Sequence, residues 1–283
     1  MTFEQQFEKK VKDTISKHKL LSKKDKIIVA CSGGKDSTTV LYLLHKWGYD
    51  VEGLIIDLHI GTWSGKNLKN IELFCKEKGI KLNIVDLRKE LGGSMCFIRQ
   101  NVQKKEKLNN CTICGIIKRY LLNKKAREFK ATKIITGHNI DDEAETVLMN
   151  LFRNSLRLAA AMSPRPGIIR DKKFIPRIKP LYFCLNSEVR RYSEKKRFPV
   201  LYDPCPCSTD VFRRNIRNIL NDLEKTDPRI KENIVLNFMK TIPKLKKEFL
   251  KQGSKSMKYC SICGEPSVQD KCQTCRLIKL ARA

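Results

Sequence analysis

The 283-residue sequence is short of acid: 30 Asp and Glu stand against 58 Lys and Arg, a formal charge of +28. Solubility alone asks for far less. The imbalance argues for a polyanionic partner, a nucleic acid bound in a salt-sensitive way; a lysine-rich surface is the plainer alternative. Long apolar runs are missing as well. None approaches the length of a bilayer span. The opening stretch Met1–Lys19 is polar and lysine-rich, without the apolar segment of a secretory signal. No basic helix carries a broad aromatic face, so no membrane partner is expected. Neither an internal repeat nor a low-complexity tract is present, which sets aside solenoids and long flexible linkers. The expected location is the cytoplasm. In that reducing compartment the 12 cysteines read as metal or redox groups rather than as disulfide staples.

What is present is an alternation. Apolar residues at Phe3, Phe7, Val11, Ile15 and Leu20 predict a first helix over Phe3–Leu21. Strands follow at Lys26–Cys31, Val51–Asp57, Lys81–Val85 and Lys133–Thr136. Helices are expected over Thr38–Trp47, Lys66–Lys78, Cys111–Phe129 and Asp141–Arg153, with a less regular stretch before Cys111. Short apolar strands separated by such helices predict an α/β fold: a doubly wound parallel sheet covered on both faces. Beyond Phe183 the pattern turns helical, over Asn186–Arg197, Thr209–Leu220, Arg229–Lys240 and Ile242–Lys251, interrupted by a proline-punctuated loop at Pro199–Pro206. Gly253 and Ser254 begin a linker. The expected units are a helix over 1–24, the α/β domain over 25–184, a helical extension over 185–254 and a cysteine-rich tail over 255–283.

Ser32-Gly33-Gly34-Lys35-Asp36-Ser37 lies between the first strand and its helix. Paired glycines let backbone N–H groups turn toward an anion at a helix N-terminus. The hydroxyls of Ser32 and Ser37 and the charge of Lys35 suit phosphate oxygens, and Asp36 suits a bridging Mg²⁺. The spacing is neither that of the kinase and GTPase loop nor that of dinucleotide folds; an ordinary glycine turn is the alternative. After the fourth strand, Thr136-Gly137-His138-Asn139-Ile140-Asp141-Asp142 puts two carboxylates at the sheet's C-terminal edge, where open α/β sheets bind ligands. One of the pair is expected only to cap its helix.

Two groups of cysteines stand out. In the middle, Cys111-Thr-Ile-Cys114 precedes Lys118, while Cys205-Pro-Cys207 lies far along the chain. Three such thiolates suit three corners of a 4Fe–4S cluster with one iron open. A redox dithiol or persulfide, half of a zinc site, and buried small residues are the other readings, and residue chemistry leaves them open. At the end, Cys260-x-x-Cys263 and Cys272-x-x-Cys275 form two knuckles fit for a tetrahedral structural zinc. Arg276, Lys279 and Arg282 beside them suit RNA, or the tail is simply a cap. Among lesser features, His45 is expected at the surface, His59 in a loop near the nucleotide edge, and Arg213, Arg214 and Arg217 on a helix face fit for phosphate. The single cysteines Cys31, Cys75, Cys96 and Cys184 read as packing residues.

The phosphate loop, Cys111-x-x-Cys114-Gly-x-x-Lys118, His138-Asn-x-Asp-Asp142 and Asp203-Pro-Cys205 together resemble the tRNA 2-thiolation enzymes among the PP-loop ATP pyrophosphatases. This group includes the TtuA-type enzymes, the wobble-uridine thiolases and TtcA, and the likeness runs in order over nearly the whole chain. It implies a tRNA sulfurtransferase that converts ATP to AMP and pyrophosphate, adenylating a uridine C2 oxygen before sulfur replaces it. It implies ATP and Mg²⁺ at Ser32–Ser37, Asp57 and Gly137, cluster ligands at Cys111, Cys114 and Cys205, and Lys118 and Asp142 beside ATP and the base. Cys207 is extra to the motif. The resemblance further implies tRNA as substrate, with a T-loop uridine slightly ahead of the wobble uridine, and a homodimer. Its sulfur donor is free sulfide or a ubiquitin-like carrier. TtuA-type enzymes usually carry an N-terminal zinc finger; there is no cysteine before Cys31, a difference that bears on how tRNA is oriented. A lysidine-synthetase-like ligase and a non-enzymatic RNA-binding protein are the rival classes.

Overall fold

The structure is a computed structural model describing residues 1–169, 171–208, 211–251 and 257–282. The expected start of a helix at Thr209 and the linker residues Gly253 and Ser254 lie outside the described residues. Helix α1 (Phe3–Lys17) is opened by a capping box between Thr2 and Gln5 and leads to β1 (Lys26–Cys31). Then come α2 (Lys35–Lys46), β2 (Asp50–Asp57), α3 (Gly61–Lys78) and β3 (Leu82–Asp86). Helix α2 starts at Lys35 with Gly34 as its N-cap, so Lys35, Asp36 and Ser37 form its first turn rather than a loop ahead of it.

The stretch expected to be irregular contains two capped helices. α4 (Leu87–Leu91) is opened by the Asp86 carboxylate, which accepts from the amides of Arg88 and Lys89, and is closed by Gly92 in the left-handed region. α5 (Met95–Gln103) is opened by Ser94. Asn109 caps α6 (Asn110–Glu128), followed by β4 (Lys133–Ile135), α7 (Ile140–Phe152), α8 (Leu156–Ala160) and a two-residue strand β5 (Arg177–Ile178) that pattern alone does not reveal. The remainder is α9 (Asn186–Lys195), α10 (Val211–Thr226), α11 (Ile230–Lys251), the hairpin β6 (Lys258–Tyr259) and β7 (Pro266–Ser267), and α12 (Gln273–Arg282). The two helices expected around Pro243 are one: α11 runs through the proline, because Val235, Phe238 and Ile242 keep one buried face packed on α7 and α8. That packing outweighs the roughly 3 kcal/mol an interior proline costs.

Five parallel strands lie in the order β3-β2-β1-β4-β5. Ile27, Ile28 and Val29 are all buried, as a strand covered on both faces requires. Ile27, Val29, Ile55 and Ile135 share a core with α1, α2, α3 and α9; Ile28, Leu54, Val85 and Ile134 face Ala126 of α6. Chain direction across the sheet reverses between β1 and β4, and the loops after these two strands therefore part to form a crevice at the C-terminal edge. A separate apolar cluster joins α5, α6 and α12 through Ile98, Val102, Ile113, Ile117, Leu277 and Ala281. The tail has no core of its own; it borrows this one. No helix among the described residues is long and apolar enough to cross a membrane.

Candidate active site

The crevice is built by close backbone approach. Gly33 has φ +78°, and a Cβ there would lie 2.6 Å from that of Asn67. Gly137, directly after β4, presses on the first turn of α2: its Cβ would meet the carbonyl carbon of Asp36 and the amide nitrogen of Ser37 at 2.8 Å. The Ser32 amide donates to Ser37 Oγ at 3.1 Å, and the two hydroxyls lie 3.3 Å apart, so the turn is braced by the groups expected at phosphate. Lys35 Nζ donates to Asp36 at 2.8 Å and to Asn186 Oδ1 at 2.6 Å, while Asn139 Nδ2 donates to Asp36 Oδ1 at 3.1 Å. Burial raises the Asp36 pKa despite Lys35, and the nearby Asp142 carboxylate adds to the rise. Two acids facing each other in this way ask for a cation, which the residues suit as a Mg²⁺ site.

The helix α7 assigns its acids separate tasks. Asn139 is the N-cap, and Asp142 completes a capping box by accepting from the Asn139 amide at 3.2 Å. Asp141 accepts from Lys231 Nζ and from the Asn186 amide, both at 2.7 Å. Asp142 is thus the capping acid of the pair, although it also faces a cavity of about 370 Å³ shared with Lys35, Asp36, Asp141, Glu145 and Pro204. Lys231 is only 4% exposed and had no signal in the sequence; its carboxylate partners sit on other elements. Glu145, 2% exposed, binds Arg217 Nε at 2.6 Å and lies 3.5 Å from Arg213 Nε. Those two arginines, read from sequence as phosphate contacts, are therefore engaged with α7. At the end of β2, Asp57 accepts from the His59 amide at 2.9 Å, and His59 Nε2 lies 2.9 Å from Asp86 Oδ1. Asp57 thereby holds the turn after β2, apart from the cavity wall at Lys35. A larger cavity of about 670 Å³, lined by α1 and by Phe183, Leu236 and Met239, contains no motif residue, and the chemistry lies with the smaller one.

Cys111 and Cys114 occupy the first turns of α6, Cys111 exposed and Cys114 half-buried. Cys205 and Cys207, both half-buried, pack against the same apolar cluster as Cys114. Asn110 Nδ2 donates to the Cys207 carbonyl at 3.3 Å and ties the distant loop to the start of the helix. Burial raises the Cys114 pKa, Lys118 one turn on opposes this, and Cys111 adds to it. Burial likewise raises that of Cys205, with Cys207 and Cys114 among its charged neighbours. Among the described residues the central thiols do not close to the mutual 4.8 Å that a single ion needs, a spacing met only by the tail. The donor set is all sulfur, wider than one ion and at a helix N-terminus that favours thiolates, which fits an iron–sulfur cluster. Lys118 stands on this thiol side and Asp142 on the nucleotide side, with Pro204 in the cavity wall immediately before Cys205. Cys31, Cys75 and Cys184 are buried, as packing residues should be; Cys96 is exposed and accepts from Arg99 Nη2 at 3.4 Å. Its exposure corrects the reading of Cys96 as a packing residue.

In the tail, the ligand atoms of Cys260, Cys263, Cys272 and Cys275 all lie within 4.8 Å of one another, a geometry that suits zinc. Backbone amides of Cys272 and Cys275 donate to Cys260 Sγ at 3.2 Å and Cys272 Sγ at 3.4 Å, as in a metal knuckle. Arg276 pairs with Glu106, and Arg282 Nη2 donates to the Leu91 carbonyl at 3.2 Å. These arginines, which the sequence offers to RNA, fasten the tail to the α4–α5 region instead.

A family profile described as a PP-loop domain matches residues 2–224. The chain is 35% identical over 274 residues to a tRNA-5-methyluridine(54) 2-sulfurtransferase of Pyrococcus horikoshii, covering 97% of this chain and 85% of that protein. It is 32% identical over 284 residues to the cytoplasmic tRNA 2-thiolation protein 1 of Caenorhabditis elegans, covering 98% and 73%. Among solved structures it is similar to the U34-tRNA thiolase NcsA from Methanococcus maripaludis, described with its 4Fe–4S cluster. The TM-score there is 0.79 at 27% identity, over 98% of this chain and 87% of the other.

Proposed function

The chain belongs to the PP-loop domain family, and from that premise we propose that it is a tRNA 2-thiouridine synthetase acting on the T-loop uridine. One observation carries the reading: the loop that supplies Cys205 to the thiols of α6 also supplies Pro204 to the cavity at Lys35, Asp36 and Asp142. Activation and sulfur transfer must meet at one atom, C2 of the base, and this is where the two halves of the site adjoin.

ATP binds with its phosphates on the N-terminus of α2, whose amides and dipole favour them, and Lys35 neutralises charge as pyrophosphate leaves. Asp36 and Asp142 would hold Mg²⁺, which would offset charge on the phosphates. The uridine O2 attacks the α-phosphorus, giving an O2-adenylated base and pyrophosphate; sulfide then adds at C2 and AMP departs with that oxygen. Lys118, whose ammonium faces Cys114, is placed to stabilise negative charge developing on the C2 substituent. Cys111, Cys114 and Cys205 would hold a 4Fe–4S cluster, which would supply sulfide for the attack at C2. The tail holds zinc as a structural ion. Free sulfide or the thiocarboxylated end of a ubiquitin-like carrier is the sulfur source, the working form is a homodimer, and the setting is the cytoplasm. A wobble-uridine reading is favoured by the likeness to the U34-tRNA thiolase.

Anaerobically prepared protein given tRNA, ATP and sulfide should yield 2-thiouridine by nucleoside mass spectrometry, and fragment mapping should locate it in the T-loop. Absence of any thionucleoside from iron-replete protein would refute the proposal. Cys111→Ala should lose iron while keeping zinc.

A further inference from the structure

Helix α6 lies alongside the segment that leads into β5. Asn123 Nδ2 donates to the Lys173 carbonyl at 2.8 Å and its Oδ1 accepts from the Ile175 amide at 3.0 Å, while Arg127 Nη1 donates to the Lys173 carbonyl at 2.8 Å. These bonds set the helix antiparallel to residues 173–177. One turn before Asn123 on α6 stands Arg119, and two residues beyond Ile175 stands Arg177. Four residues of helix and two of extended chain both rise about 6–7 Å, so the two arginines reach the same level. Ile178 is buried in the core shared with α1 and α2, which turns Arg177 to the opposite face of the sheet, the one α6 covers. The Arg119 guanidinium folds back over Gly115, the residue after Cys114: a Cβ at Gly115 would stand 2.9 Å from its Nη1.

Neighbouring cations on this side are paired, Arg127 with Glu265 at 2.9 Å and Lys179 with Glu143 at 2.5 Å. Among the described residues neither Arg119 nor Arg177 has a carboxylate or a hydrogen-bond partner. Both are open to solvent on one side, yet the surrounding protein lowers the pKa of each, and Arg119 lowers that of Arg177 further. Guanidinium groups stay protonated all the same. Two of them set together without an acid form a site for an anion from outside, and their planar forks suit phosphate oxygens.

We propose that Arg119 and Arg177 together hold a phosphate of the RNA backbone beside the target uridine and so fix how far the base enters the site. This deepens the tRNA 2-thiouridine synthetase reading and rests on it. Arg119 is on the helix of Cys111 and Cys114, next to Lys118, and Arg177 pairs in register with Ile134 of β4, the strand that leads to Asp142. A phosphate between them is therefore fixed relative to the thiol side and the nucleotide side at once. Backbone contacts position a strand without reading its sequence; the pair sets depth and leaves the choice of uridine to other contacts.

The test uses full-length protein and reads binding of an unmodified tRNA transcript over a series of salt concentrations, affinity for a non-hydrolysable ATP analogue, and urea unfolding. Arg119→Gln and Arg177→Gln should each weaken tRNA binding about tenfold, and the double variant should flatten the logarithmic salt dependence by about one unit of slope. Affinity for the ATP analogue should stay at the wild-type value. Stability should be unchanged or higher, because each change relieves a like-charged neighbour; an arginine serving only structure would lose stability instead. Arg177→Lys keeps the charge without the fork, so the salt slope should remain while only part of the affinity returns. Lys76→Gln, exposed on α3 across the sheet from α6, removes the same charge and should leave tRNA binding unchanged. Should a glutamine variant fail to fold, the lysine variants decide by their affinity. Wild-type tRNA affinity and salt slope in folded variants, or an equal loss in Lys76→Gln, overturns the inference. So does a loss confined to the ATP analogue, which would assign the anion to the nucleotide. A wild-type protein that binds no tRNA overturns the underlying reading instead.

Discussion

Replacing Gly137 by alanine puts a methyl group between two pieces of backbone. The new Cβ would stand 2.8 Å from the Asp36 carbonyl carbon and the Ser37 amide nitrogen, and 2.9 Å from Asp36 Cβ, all well inside ordinary contact. No flexible side-chain end is available to swing aside. Either the turn after β4 retreats or the first turn of α2 does, and overpacking of this kind costs about 1–3 kcal/mol. The displaced groups are the amides that face phosphate, so the cost should fall on nucleotide affinity as well as on stability. If all of it does, the ATP dissociation constant rises about 5- to 150-fold. Gly34→Ala is the internal control. Its backbone is extended, φ −92°, and a Cβ there meets only Ser32 Oγ, at 3.4 Å; stability should change by less than about 0.5 kcal/mol. Calorimetric titration with a non-hydrolysable ATP analogue and urea unfolding read the two quantities. Wild-type affinity and stability in Gly137→Ala, or equal destabilisation by Gly34→Ala, would refute the close-approach argument.

Lys231→Met should cost about 2–3 kcal/mol in urea unfolding, since it leaves the Asp141 and Glu224 carboxylates of a largely buried network unpaired; a change under 1 kcal/mol, by the same principle, would mean that water replaces the ammonium. Asp25 is partly buried, which raises its pKa, but the bond from Lys133 overrides this and holds it at about 2, against 3.8 unfolded. Its share of stability, about 2 kcal/mol, should be intact above pH 3.8 and fade as pH falls toward 2, and the acid limb should flatten in Asp25→Asn. Zinc removal, or Cys260→Ser, should free α12 from α5 and α6. Hydrogen exchange in α5 should then accelerate and the iron content fall, though no tail cysteine is a cluster ligand; unchanged exchange in α5 would show that α12 does not brace it.

Sheet and phosphate loop were legible because their signals are local. Ile27–Cys31 is an uninterrupted apolar run closed by Ser32 and two glycines, and β1 occupies the bounds those residues suggest. The caps of α4 and α5 were also in the sequence, at Asp86 and Ser94, but short helices without strong periodicity give pattern little to act on. Pro243 misled for the opposite reason: a strong local breaker was overruled by packing on α7. Arg99 and Lys231 were illegible in principle. A buried cation is defined by what surrounds it: the carboxylates on Lys231 come from α7 and α10, and Arg99 lies on a helix that the pattern does not reveal. Cys96 was misjudged because α5, which sets it one turn from Arg99 on an exposed face, was not read from the pattern.

The position of the loop that carries Cys205 follows from the sheet. A crevice at the C-terminal edge between β1 and β4 is walled by the helices that leave those strands, and its roof must come from elsewhere in the chain. Here the roof is the loop 203–207, which is delivered after α9 has packed back onto α2. Its placement depends on α9 on the nucleotide side and on Asn110 and the α5–α6 core on the thiol side. Lys35 bonds Asn186, the first residue of α9, so movement of Lys35 toward phosphate must disturb a contact on the same element that sets the loop's course. Nucleotide binding and the spacing of Cys205 from Cys114 are coupled by that geometry. Asn186→Ala should weaken the coupling, and it is expected to lower thiolation more than ATP binding. A parallel loss in both would place Asn186 in nucleotide binding alone.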